Sequence, residues 1–199
     1  MYLDKIFKIS FNGVNSYLIN SRDEACLVDA SMPVSILMET ISGIRDYFKF
    51  KYILLTHGHL NHVRYVSEVR SLSNGKTYIH VDDRPLLREE GIGIDDVYTL
   101  RGFDKFKVGD IEIIVYHTPG HTDGSVCFYS RELNAIFTGD TLMKGGFGKI
   151  RGPHSMSRML KSLKTISRLI PPDTTVYPGH GFETRLEDEA WLDGLDMLS

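Results

Sequence analysis

Four times in this chain a short apolar run stops at a turn that carries a potential metal ligand, and this recurrence constrains the fold more than any other feature. Tyr52-Ile53-Leu54-Leu55 leads into Thr56-His57-Gly58-His59-Leu60-Asn61-His62. Residues 111–116 lead into His117-Thr118-Pro119-Gly120-His121-Thr122, residues 135–137 into Thr138-Gly139-Asp140-Thr141, and Val176-Tyr177 into Pro178-Gly179-His180-Gly181. Such runs read as buried strands, and the loops at strand ends are where open α/β sheets keep their binding sites. Imidazole suits zinc, copper, iron and nickel. His57 and His59, two apart in an extended segment, point the same way and can grip one ion, while His62, beyond a bend, is free to face a second. Glycine and proline beside the ligands allow the sharp turns that aim side chains back across a sheet end.

The rest of the chain supplies two sets of strands, each with helices. Residues 6–20, broken at Asn12-Gly13, predict two strands, and residues 25–29 a third. Beyond Pro33, Leu37, Met38, Ile41, Ile44 and Phe48 recur at helical spacing with Ser31 as the N-cap; Met38, Ile41 and Phe48 are expected in the core. Val63, Val66, Val69 and Leu72 predict a helix ended by Asn74-Gly75. A short strand follows at 77–81 and a short helix at 84–90. The second half predicts strands at 98–100, 105–108, 111–116, 125–129 and 135–138. Residues 142–154 form a glycine-rich loop long enough to expect a task of its own. A helix from Met156 carries Met159, Leu160, Leu163, Ile166, Leu169 and Ile170 on one face and stops at Pro171-Pro172. After a strand at Val176-Tyr177, the acidic tail from Glu183 predicts a last helix with Trp191, Leu192 and Leu195 packing down. This rhythm predicts two sheets face to face with helices outside. No linker interrupts it, so residues 1–199 are expected to form a single domain.

Composition narrows the partners. A chain of 199 residues, 42% hydrophobic and 25% charged, is expected to be a soluble globular protein. The net charge of -3 and the scattered Lys and Arg argue against a nucleic-acid partner. No apolar run approaches the roughly 18 residues of a membrane span, and the N-terminus reads as a strand, not a signal peptide. Cys26 and Cys127 lie inside apolar runs and are expected to be small core residues in a reducing, cytoplasmic setting. The partner expected is a small-molecule substrate; a homodimer is left open.

On the four motifs quoted above, the chain resembles the metallo-β-lactamase-fold hydrolases, and among them the glyoxalase II-like (hydroxyacylglutathione hydrolase-like) branch. The likeness runs from about Asn15 to His180. It implies an α+β fold, an αββα four-layer sandwich of two mixed β-sheets with helices outside and metals at the rim between the sheets. Position by position, it implies that His57, His59 and His121 hold a first metal, that His62 and His180 hold a second, and that Asp140 bridges the two. One position departs from the pattern: where the family has aspartate between the second and third histidines of the loop, this chain has Asn61. A neutral carboxamide oxygen is a poorer ligand for a divalent cation than a carboxylate and cannot accept a proton. The expectation is therefore one firm zinc site and a second that is weak or absent. Lys149 matches a lysine that in glyoxalase II-like enzymes holds a glutathione carboxylate; the plain alternative is a solvated loop lysine. The chain ends about 19 residues after His180, too few for that enzyme's extra C-terminal helical region. Phe182 stands where it has a tyrosine hydroxyl. A thioester or another small acyl compound is expected in place of the glutathione thioester.

The expected chemistry is hydrolysis. Three histidines leave zinc an open position, and a water bound there has its pKa lowered to about 7. Asp140 would orient the resulting hydroxide, and Asn61 beside it predicts slow turnover; these two are the candidate catalytic residues. Two alternatives stand beside this one. Iron(II) held by His57, His121 and Asp140 would suit a persulfide dioxygenase, which needs no carboxylate at position 61. The chain could equally be a metal-binding domain with impaired catalysis. A nuclease is the weakest reading, since the inserted domain of RNA-processing relatives has no room here. His80 and His117 are expected to be structural, His154 to lie on the surface, and Asp29 to support the loop carrying His57.

Overall fold

The computed structural model describes residues 5–42 and 49–198. Ile44 and Phe48 of the first expected helix, and residues 1–4, lie outside them. The first six strands are β1 (Lys5–Phe11), β2 (Val14–Ser21), β3 (Glu24–Val28), β4 (Lys49–Leu54), β5 (Lys76–His80) and β6 (Val97–Leu100), and they form one sheet in chain order. The next six, β7 (Lys105–Val108), β8 (Ile111–His117), β9 (Val126–Ser130), β10 (Ala135–Gly139), β11 (Thr175–Pro178) and β12 (Thr184–Arg185), form the second sheet, also in chain order. Both are mixed. Pairing is parallel at β3–β4, β4–β5, β5–β6 and β10–β11 and antiparallel elsewhere. Asn12 and Gly13, both at positive φ, close the first hairpin where the sequence predicts its turn.

Strand periodicity sorts the apolar residues into three layers. Tyr17 and Ile19 of β2 and Val126 and Phe128 of β9 fill the space between the sheets. Leu18 faces the opposite way, under the helices α1 (Val34–Ser42) and α3 (Val66–Ser73). Cys127 and Tyr129 face α5 (Pro153–Leu169) and the C-terminal turns. The result is the expected four-layer αββα sandwich. Both cysteines are buried free thiols, Cys26 between the sheets and Cys127 under α5; burial pushes both thiols up, Cys127 to about 12. None of the described helices is long and apolar enough to cross a membrane.

Several details differ from expectation. Met38, expected in the core, is 44% exposed, as are Leu72 and Leu169 to a similar degree; Leu37 takes the buried position of α1. Ser31 does not cap α1. Its hydroxyl is buried 2.7 Å from that of Ser16, and the α1 amides of Ile36 and Leu37 donate to the Pro33 carbonyl instead. The helix expected through Val63 breaks into α2 (Leu60–Val63) and α3, because Ala30 exchanges backbone hydrogen bonds with His62 and Tyr65 between them. The last helix is replaced by β12 and 3₁₀ turns at Leu186–Asp188 and Ala190–Leu198, with Leu192 and Leu195 still buried. A further short helix, α4 (Arg84–Glu89), lies where expected.

The chain direction matters most for the site. β3, β4 and β5 run together in one sheet; β8, β10 and β11 run together in the other. Their C-terminal ends meet at one rim, where the Val126 amide donates to the Thr56 carbonyl across the two sheets.

Candidate metal centre

Three imidazoles at this rim, those of His57, His62 and His121, are each held through Nδ1, with Nε2 on the other side of the ring. His57 Nδ1 sits 3.1 Å from Thr56 Oγ1, which itself donates to Asp29 Oδ2 and so accepts from the ring. His62 Nδ1 lies 2.8 Å from the same carboxylate oxygen, and His121 Nδ1 is 2.9 Å from the Lys149 carbonyl. These partners can only accept, so Nδ1 carries a proton in each ring, and in the neutral rings of His57 and His121 the Nε2 lone pair is turned inward. Metal-binding histidines are oriented in this way. His57 Nε2 and His62 Nε2 are fully buried and have no hydrogen-bond partner. An unsatisfied buried group of this kind costs about 1–3 kcal/mol.

The inner atoms converge in two groups. Ligand atoms of His57, His59 and His121 lie within 4.8 Å of one another, and so do those of His57, His62 and Asp140. In the first group His59 Nδ1 and His121 Nε2 are only 2.9 Å apart, so a proton or a cation must sit between them. Burial holds His57 well below the ordinary histidine range and brings His59 down to about 4; it lowers His121 too. Three neutral imidazoles suit a borderline cation such as zinc, and the donor set fits one. Asp140 reaches both groups: its Oδ2 is 3.4 Å from His121 Nε2 of the first, and its Oδ1 is 3.5 Å from His62 Nε2 in the second. Burial alone would raise Asp140, but the imidazoles of His180 and His62 outweigh it and hold the carboxyl well below the usual range. Burial would lower His62, yet Asp140 and Asp29 win and raise it to about 9.

His180, named for the second metal, joins neither group. Its Nδ1 lies 2.8 Å from Asp140 Oδ1, and its Nε2 lies 3.3 Å from Asn61 Nδ2. Nδ1–H donates to the carboxylate, so the Nε2 lone pair accepts from the Asn61 amide. Aspartate at position 61 could not donate there. The close fit of this corner needs glycine: a Cβ on Gly179 would stand 2.5 Å from His62 Cε1, and one on Gly139, at φ +49°, 2.5 Å from Thr56 Oγ1.

Two buried carboxylates tie the rim together. Asp29, itself at φ +59°, accepts from the Thr56 amide and hydroxyl and from His62, in line with its expected support of the histidine loop. Asp83 was not singled out from the sequence. It accepts from the amides of Gly58 and Gly124 and from the Thr122 hydroxyl, at 2.7–2.8 Å, and so staples the loop of His57 to that of His121. Burial pushes Asp83 up, against these three donors. Asn15 and Tyr17, read only as strand residues, hold the His180 turn: the Asn15 side-chain amide and the Tyr17 hydroxyl both donate to the Pro178 carbonyl. His80 and His117 stack on each other with ring centroids 3.9 Å apart, away from the centre, and His154 is exposed.

A cavity of about 620 Å³ opens above the ligands. Asn61, Asp140 and His180 line its floor, and Met143, Phe147 and Ile150 form an apolar wall. Lys149 lines it as well, joined by Arg151, which sequence reading missed.

Comparison with known proteins gives the family. The family described as the metallo-beta-lactamase superfamily matches residues 9–180. The chain is 33% identical to the hydroxyacylglutathione hydrolase of Pelagibacter ubique, over 84% of this chain and 66% of that one. It is 30% identical to the probable polyketide biosynthesis zinc-dependent hydrolase PksB of Bacillus subtilis, over 88% of this chain and 77% of that one. Among solved structures it is similar to TTHA1623 in a di-iron-bound form, with a TM-score of 0.74 and 30% identity over 92% of this chain and 96% of that one.

Proposed function

The chain belongs to the metallo-beta-lactamase superfamily, and from that premise we propose that it is a metal-dependent hydrolase of a thioester or a related small acyl compound. The observation that carries this reading is the convergence of ligand atoms of His57, His59 and His121 within 4.8 Å of one another, with His59 and His121 lining the cavity. Zinc is the cation proposed for these three histidines, with His62 and Asp140 beside it as a weaker second position. A cation bound there would ionise a water near neutral pH and polarise an acyl oxygen.

The chain's own groups do the rest. Asp140 stays ionised under the imidazoles of His180 and His62, so it can accept a hydrogen bond from a water at the cavity floor and orient it, but a carboxylate held so low is a poor proton acceptor. Asn61 offers an N–H in place of a second carboxylate; it can hold His180 and donate to a substrate oxygen but cannot take a proton. Among the described residues Asp140 is the one carboxylate lining this cavity, and turnover should be slow. Met143, Phe147 and Ile150 would bury an acyl body and exclude water, with Lys149 beside them as the substrate-binding cation. Likeness to a hydroxyacylglutathione hydrolase and a zinc-dependent hydrolase supports the reaction class.

The test is release of thiol from acetyl- and hexanoyl-N-acetylcysteamine thioesters by zinc-loaded protein. Turnover that a chelator abolishes and zinc restores is expected. Full turnover by metal-free protein, or by H121A, would overturn the reading.

A second reading has its own support. Asp140 Oδ2 lies 3.4 Å from His121 Nε2, and both stand close to His57, which places two histidines and a carboxylate together as non-haem iron oxygenases require. The similar TTHA1623 is described in a di-iron-bound form, which keeps iron in consideration here. Iron near one per chain, with oxygen uptake dependent on a thiol persulfide, would replace the hydrolase reading by an oxidoreductase.

A further inference from the structure

The loop between β10 and α5 forms the apolar wall of the cavity and is pinned at both ends of its path. Near the centre, the Gly148 amide donates to the Asp140 carbonyl at 2.8 Å, and the Lys149 carbonyl accepts from His121. At its outer tip the Gly145 amide donates to Glu189 Oε2 at 2.7 Å. Glu189 is only 4% exposed, and the rest of its carboxylate is equally occupied. Thr184 Oγ1 donates to Oε1 at 2.8 Å, and the Trp191 indole N–H donates to Oε2 at 2.6 Å. The Trp191 ring in turn stands 6.0 Å from that of Phe147, in the cavity wall. A buried carboxylate is costly unless it is well hydrogen-bonded, and hydrogen bonds to an ionised acceptor are the strong ones. This one is spent joining the C-terminal turns to a loop that faces the site.

We propose that Glu189 is a positioning residue that, through Gly145 and Trp191, fixes the Met143 and Phe147 wall of the cavity and so sets which acyl group the site accepts. The proposal rests on the hydrolase reading only for its kinetic consequence; the placement of the loop can be read without any activity. The chain itself supplies the probes. Trp191 is its sole tryptophan, and Lys144, Lys149 and Arg151 place trypsin sites in the loop.

The experiment compares zinc-loaded wild-type protein with E189A, E189Q and W191F. Loop release is followed by trypsin cleavage after Lys144, Lys149 and Arg151, identified by mass spectrometry, and by Trp191 emission in the Glu189 variants. Kinetics are read on hexanoyl- and acetyl-N-acetylcysteamine thioesters. In E189A, cleavage at those bonds should be about tenfold faster with the remaining chain intact, and emission should move to longer wavelength. KM for the hexanoyl thioester should rise about tenfold, that for the acetyl thioester less, with kcat within about twofold and the zinc count unchanged. E189Q keeps one acceptor oxygen and should fall between; W191F should move KM for the hexanoyl thioester alone. Unchanged cleavage and emission in E189A overturn the proposal. So does a loss of kcat shared equally by both thioesters, which would mark a purely structural role. Should E189A fail to fold, E189Q decides by the same readouts. A wild-type protein that cleaves neither thioester removes the hydrolase reading, while cleavage and emission still decide the role of Glu189.

Discussion

His57 belongs to both sides of the centre, yet the two sides carry opposite proton arrangements. Toward His59 and His121 it joins neutral imidazoles, all lowered by burial, with a 2.9 Å nitrogen–nitrogen contact that no carboxylate of their own group relieves. Toward His62 it meets an imidazole raised to about 9 between Asp29 and Asp140. His180 and Asn61 complete that second side: the Asn61 amide bonds to His180, and His180 bonds to Asp140. The first side needs a proton or a cation between its facing nitrogens. The second can satisfy most of its own charge with protons. Identical side chains from one loop thus differ because of which carboxylates reach them.

The largest effect should come from the residue both sides share. H57A is expected to weaken zinc binding at least about a thousandfold, roughly 4 kcal/mol, in competition against a chromophoric chelator. Binding within tenfold of wild type would mean that the histidine cluster is not the metal site. Next is the staple under the first side. D83A leaves the amides of Gly58 and Gly124 without their acceptor and should cost about 3 kcal/mol in urea unfolding of metal-free protein. A change below about 0.5 kcal/mol would show that the two loops hold their places without it.

The pH dependence of metal-free stability separates the sides further. His62 is raised in the fold, so the stability it contributes is complete below its ordinary pKa near 6.5 and is lost as pH rises through about 9. His59, depressed to about 4, acts oppositely: its neutral form is favoured by the fold, and stability falls as pH drops from about 6.5 toward 4. Metal-free wild type should therefore lose urea stability on both flanks, and H62N should lose only the alkaline limb. An alkaline limb that survives in H62N would assign it to another group.

Much of this was visible before the fold was. The ligands stand beside glycine and proline at the ends of apolar runs, so chemistry and geometry are written in the same few residues. The strands followed from the same periodicity, and the two-sheet rhythm gave the layers. What stayed hidden depends on partners far along the chain. Asp83 looks like any acid after a strand until the loops of Gly58 and Gly124 arrive beside it. Glu189 sits in an acidic tail that reads as a last helix packing down through Trp191, Leu192 and Leu195, and only folding brings Gly145 to it. Met38 fits the helical stripe as well as Leu37 does; which of them is buried is set by how α1 lies on the sheet.

The central claim, that the two sides are unequal and that Asn61 keeps them so, is tested most directly by counting metal. Metal-free wild type and N61D would each be titrated with zinc by calorimetry, with elemental analysis after desalting. The account predicts one tight equivalent per chain in wild type and a second in N61D, where a carboxylate replaces the amide that now donates to His180. Two equally tight equivalents in wild type, unchanged in N61D, would contradict it.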